Sequence, residues 1–312
     1  MSKDLKYSLY VLLSALAGAA GLLTTEIAVR SMGIRVIHVA ISANLVAGTL
    51  LLGWAAFRGG RRWFGWGRAD WIRLLLGAAA TYAAGFLLLY EAIGFIGTSK
   101  ASLLGRLETI FIVLLAVIFL REPWTRRHWL GGLMALAGTA LVNFDPGAWT
   151  LDLGWGELLA VVSALTFAVG IILLKSVLDR QDGLLVTGYG MMLGALILSI
   201  FFTNGSVGSD TSSAGGVVLA VLFGRGILLA ISWIAYNVAM QYIGASRCSV
   251  LFLSISFMAI LLQVSVDAVA PGLGLQLPTH LGLAVLGGVV ICAGIYFIPR
   301  EPATDQQRPT GD

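Results

Sequence analysis

Long apolar blocks separated by short polar connections occupy almost the whole chain. Ten of them can be marked: 7–29, 36–57, 72–96, 98–120, 128–144, 155–178, 183–203, 216–243, 245–269 and 279–298. Each approaches the roughly 20 residues that a helix needs to cross the hydrocarbon core of a bilayer, although 128–144 is short. The runs 72–120 and 216–269 are too long for one membrane helix each. We therefore divide them into pairs that turn at Gly97 and Gly244. Within the blocks apolar residues are continuous, not alternating with polar ones, which excludes a membrane β-barrel. The fold class is an all-α polytopic membrane protein with ten transmembrane helices.

Composition agrees. Hydrophobic residues make up 58% of the 312 positions and charged residues 12%, against roughly 25% charged in soluble domains. The charges are also distributed unevenly. With the N-terminus inside, fifteen Lys and Arg fall on the inner connections and only Arg30, Arg35 and Lys100 on the outer ones. The positive-inside rule then places both termini in the cytoplasm, and the expected location is the cytoplasmic (inner) membrane. The basic residues form no stripe, so no nucleic acid partner is expected. The segment 57–73, with five arginines beside Trp63, Trp66 and Trp71, suits an inner loop lying at headgroup level. Cys248 and Cys292 each sit inside an apolar block and read as small packing residues. The first apolar block is too long for a cleavable signal peptide and carries Glu26.

The chain also repeats itself. Ser14-Ala15-Leu16 and Gly21 match Ser163-Ala164-Leu165 and Gly170. Gly97, Ser99, Lys100, Ser102 and Leu104 match Gly244, Ser246, Arg247, Ser249 and Leu251, 147 residues on. Gly132 and Ala137-Gly138 match Gly288 and Ala293-Gly294. The units are 1–147 and 148–300, divided near Asp145–Gly154, with 301–312 expected to be a disordered cytoplasmic tail. A unit of five spans ends on the side opposite its start, so the second copy inserts inverted. Inverted repeats underlie many secondary transporters, which hold their solute near the midplane between the repeats.

On these residues the sequence resembles the drug/metabolite transporter superfamily, in particular its EamA-type ten-helix members. The likeness is strongest from Gly97 to Leu141, with a small-residue turn, a fourth helix ending in Leu120-Arg121-Glu122 and a glycine-rich fifth helix. It implies a transporter fold with both termini inside. Two positions depart from the family pattern. Leu107-Glu108-Thr109 stands where Leu-Glu-Pro is usual, implying a straighter, fully bonded fourth helix. Asn44 stands where the second helix often carries Arg.

Ionisable groups deep in a membrane are costly and usually face a cavity or a partner. The candidates are Glu26, Glu91, Arg106, Glu108 and Arg225, all in the outer half of the proposed topology. Arg106 and Arg225 could hold an anionic group of a solute by forked hydrogen bonds. Glu26, Glu91 or Glu108 could meet a solute amine or carry a coupling proton. Arg106 and Glu108, about 200° apart on a helix, would not share one small group. A structural ion-pair network is the competing explanation. Tyr82, Tyr90, Trp233, Tyr236 and Asn237 form a second layer of candidate pocket residues. The glycines of spans five and ten (Gly131, Gly132, Gly138; Gly287, Gly288, Gly294) read as packing faces.

No catalytic constellation, metal cluster or nucleotide-binding loop is recognisable, so no cofactor and no metal is expected. The reading is a secondary active transporter, not an enzyme, moving a small metabolite or amino-acid-like solute. Its partners are that small-molecule solute, the lipid bilayer and protons as a coupling ion, with a homodimer left open. Export is expected; uptake by the same fold, or a membrane enzyme acting on lipid head groups, is the alternative.

Overall fold

In hydrocarbon every backbone N–H and C=O must be bonded within the protein, which leaves helices as the natural form for chains this apolar. The computed structural model describes residues 3–58, 65–122, 125–142, 144, 154–202, 215–273, 275 and 280–297. The helices are α1 (Lys3–Arg30), α2 (Val36–Arg58), α3 (Arg68–Ala78), α4 (Gly85–Gly105), α5 (Leu107–Leu115), α6 (Arg126–Val142), α7 (Trp155–Leu178), α8 (Gly183–Phe202), α9 (Gly215–Ile243), α10 (Ala245–Phe252), α11 (Ser254–Val269) and α12 (Leu281–Phe297). A π-helical stretch, Ala79–Ala84, joins α3 to α4, and a second, Ala116–Leu120, ends α5. Among the described residues seven helical segments are long and apolar enough to cross a membrane. Three shorter apolar ones, Leu107–Leu120, Trp129–Val142 and Leu281–Phe297, complete ten. Large apolar side chains such as Ile118, Ile200 and Leu219 stand exposed on the outside, the arrangement expected where lipid is the solvent. The chain is a multi-pass membrane protein.

The packing carries the repeat. α1 lies on α9 and α4 on α7; α2 lies on α8, α5 on α10 and α6 on α12. Exchanging the two five-helix halves converts the first pairing into the second and returns the other three unchanged. Each of these pairs joins one half to the other, so the repeats are interlocked. The division expected at 147/148 and the tail 301–312 lie outside the described residues.

Contacts between connections agree with the alternation of spans. Asp70, buried at the start of α3, accepts a hydrogen bond from Gln181 Nε2 at 3.0 Å. Arg180 lies 3.5 Å and Arg73 3.7 Å from its other oxygen. Gln241, near the end of α9, donates to the Leu178 carbonyl at the end of α7. On the opposite face Ser31 Oγ donates to the Leu273 carbonyl at 3.1 Å. Connections that should share a face do meet.

The structure departs from the sequence reading in two places. Gly97 does not turn the chain: α4 continues through it to Gly105, and the helix breaks at Arg106. A lone glycine does not break a helix in lipid, because unbonded backbone there has no water to replace the lost bonds. Nor does the fourth span run straight past Glu108. Thr109 N–H bonds the Arg106 carbonyl at 3.1 Å, a tight three-residue turn. Trp66, in the connection before α3, packs into the protein. It is buried, stacked on Trp71 at 5.0 Å and edge-on to Tyr189 of α8 at 5.8 Å; Trp63 lies outside the described residues.

Candidate functional site

Arg225 sits ten residues into α9, roughly 15 Å from the helix start at 1.5 Å per residue. Its Nε donates to Thr25 Oγ1 on α1 at 2.8 Å. Thr25 commits its own hydroxyl proton to the Gly21 carbonyl at 2.9 Å, which leaves its oxygen as the acceptor. The guanidinium lies across Gly21: a Cβ there would stand 2.8 Å from Arg225 Nη1 and 3.1 Å from Cζ. Glycine one turn before Thr25 thus makes room for the cation that Thr25 orients. Gly21→Ala should keep the fold, since only a flexible side-chain end must yield, yet displace the guanidinium. We expect about fivefold weaker solute binding, the equivalent of roughly 1 kcal/mol for one perturbed hydrogen bond, measured by solute-dependent thermal stabilisation.

The cation borders a small cleft lined by Thr25, Asn44, Phe86, Arg225, Leu229 and Trp233 among others. α1, α2 and α4 belong to the first half and α9 to the second, so both halves build it. Asn44 is buried and bonds the Ala40 carbonyl through Nδ2 at 3.0 Å. Its Oδ1 has no hydrogen-bond partner among the described residues. Aromatic rings continue the wall inward. Tyr82 meets Trp233 edge-on at 4.9 Å, Trp233 meets Tyr236 at 5.9 Å, and Tyr236 meets Phe252 at 5.3 Å. Asn237 Nδ2 donates to Thr187 Oγ1 at 2.7 Å. Tyr82 and Asn237, both buried, lie within side-chain hydrogen-bonding reach of each other. A buried polar atom without a partner costs about 1–3 kcal/mol. Asn44 Oδ1 is such an atom in the cavity lining, which suits a polar ligand.

The structure therefore brings together Arg225, Trp233, Tyr236, Asn237 and Tyr82 of the sequence candidates. Glu108, half-buried on α5, lies within electrostatic reach of Arg106 and Tyr236. Arg106 Nε is buried without a hydrogen-bond partner among the described residues. Glu26 accepts a hydrogen bond from Gln263 Nε2 on α11 at 2.8 Å. Glu91 is exposed on α4, and the Tyr90 side chain lies outside the described residues. Thr25, Asn44 and Phe86 were not among the candidates. Thr25 had a signal, the polar run Thr24-Thr25-Glu26 within an apolar block; Phe86 had none. Among the described residues no group of three His, Cys, Asp or Glu converges as a metal site would.

Comparison with known proteins decides the family. The EamA-like transporter family matches residues 5–144 and again 154–299. The chain belongs to the EamA-like transporter family. It is a membrane transporter, with a small-molecule solute and the lipid bilayer as its partners. An uncharacterized transporter of Archaeoglobus fulgidus is 26% identical over 209 residues, 66% of this chain and 70% of that protein. The uncharacterized transporter sll0355 of Synechocystis sp. is 29% identical over 206 residues, 58% of this chain and 60% of its own length. A solved crystal structure superposes with a TM-score of 0.77 over 94% of this chain and 96% of its own, at 16% identity. That likeness is one of fold.

Proposed function

We propose that this EamA-family protein is a secondary active transporter that exports a small amino-acid-like or other carboxylate-bearing metabolite across the cytoplasmic membrane by alternating access. Proton uptake or exchange drives it, and both termini face the cytoplasm. The observation that carries this reading is the Arg225 pocket, placed where α9 of the second half meets α1, α2 and α4 of the first. Repeats 1–147 and 148–300 would trade access to such a site by moving against each other. Arg225, oriented by Thr25, offers a fixed cation for a carboxylate. Asn44 Oδ1 offers an acceptor for an amine, and Phe86 and Trp233 an apolar wall for the body of the solute. Glu108, close to Arg106 and Tyr236, is the candidate for proton coupling. The fifteen-to-three bias of basic residues supports the orientation.

The experiment is counterflow in proteoliposomes with labelled amino acids and simple carboxylates, with and without an imposed proton gradient. We expect accumulation of at least one carboxylate-bearing solute, and stimulation by the gradient. If cationic or neutral solutes alone are carried, the anion-site reading fails.

A further inference from the structure

The face that carries the N-terminus is held by a contact away from the Arg225 pocket. After the π stretch Ala116–Leu120, Arg121 takes φ +55, the left-handed conformation, and the chain swings toward the start of α10. There Glu122 Oε1 accepts the Ala245 N–H at 2.7 Å and Oε2 accepts the Ser246 N–H at 3.0 Å. The first N–H groups of a helix have no partner within it and carry partial positive charge, so a carboxylate is held there by charge-assisted bonds. Gly244 is shaped for this. Its φ is +82, and a Cβ would stand 2.9 Å from the carboxylate. Conformation and space both require glycine at this turn.

The contact ties the end of the fourth span to the beginning of the ninth, and so one repeat to the other. Neighbouring groups reinforce the same face. Tyr7 of α1 stacks on Tyr242 of α9 at 4.0 Å, and Gln241 bonds the end of α7. The inverted repeat should place a counterpart on the opposite face, but at the 147-residue shift the position equivalent to Glu122 is Val269, which carries no carboxylate. Gly97, the counterpart of Gly244, lies inside unbroken helix. The clasp cannot form twice.

We propose that Glu122 is a positioning residue of the transport cycle, a latch on the start of α10 that must release before the N-terminal face opens. The proposal rests on the alternating-access reading above. Glu122 does not line the Arg225 cavity; it acts through α10, setting how often that face opens and making the state closed on that face the resting one.

The chain carries its own reporter. Cys248 lies on α10 close to the latch and is fully buried, while Cys292, the other thiol, is exposed and can be replaced by Ser. In the Cys292→Ser protein we would measure alkylation of Cys248 by N-ethylmaleimide together with the melting temperature. Glu122→Gln removes the charge. Ala245→Pro removes one donor at the first helical position, where proline is tolerated. Both should accelerate labelling about tenfold, as expected for losing one charge-assisted bond from a local opening, with the melting temperature held. Unchanged labelling in the folded variants overturns the latch. Acceleration that comes only with a lower melting temperature also overturns it, because Glu122 is then a fold staple. Labelling needs no solute, so a failed counterflow experiment would sink the transporter reading without deciding this one.

Discussion

Gly287→Val should remove most of the properly folded protein, while Gly53→Ala should leave it intact. The difference lies in what each new side chain meets. α6 and α12 pack antiparallel with backbone against backbone. A Cβ on Gly287 would stand 2.5 Å from the Gly138 carbonyl oxygen and 2.8 Å from the Val142 nitrogen. Across the same seam, a Cβ on Gly294 would stand 2.6 Å from the Gly131 carbonyl. Neither obstacle is a flexible side-chain end, so the helices must separate. Small residues are what permit such approach between membrane helices, where dispersion and not water expulsion holds the pair. Overpacking of this kind costs about 1–3 kcal/mol or more, which corresponds to roughly 5–10 °C in melting temperature. A Cβ on Gly53 meets nothing within 4 Å. Equal melting temperatures and equal size-exclusion profiles for the two variants would refute the account of this seam.

Arg225→Ala should abolish solute-dependent stabilisation and cut counterflow roughly 30- to 150-fold, the loss of about 2–3 kcal/mol for hydrogen bonds to a charged group. Arg225→Lys should recover little. An ammonium keeps the charge but lacks the planar fork that Thr25 orients through Nε. Both variants should stay folded, because the residue borders a cavity and is not packed in a dry core. The informative measurement is a melting-temperature screen of wild type and Arg225→Ala against carboxylates, amines and neutral solutes. Stabilisation by carboxylates that disappears in Arg225→Ala supports the anion pocket. Wild-type counterflow in the folded Arg225→Ala protein removes it.

Much of this was readable from one sequence. Ten apolar blocks, their near-equal division and the matched glycines depend only on local composition and order, and the bilayer converts those directly into spans. The glycine seam was legible for the same reason: Gly131, Gly138, Gly287 and Gly294 recur on helical spacing within two blocks. Arg225, Trp233, Tyr236 and Asn237 stood out because polar or aromatic groups in a long apolar helix are conspicuous, and the structure gathers them on one side of α9.

Other features depended on distance in space. Thr25 and Asn44 join Arg225 only because α1 and α2 both pack on α9. Glu91, as costly in an apolar block as Arg225, is exposed instead. Whether a charge faces a cavity or the outside depends on helix rotation, which one chain's pattern leaves open when apolar residues surround the helix. The repeat made Gly97 and Gly244 look alike, yet helix runs on through Gly97, while Gly244 turns the chain against the Glu122 carboxylate. Local sequence thus determined how many helices cross the membrane and in what order. Tertiary packing alone decided which polar groups meet, because those meetings join residues as far as 242 positions apart, as Ser31 and Leu273 are.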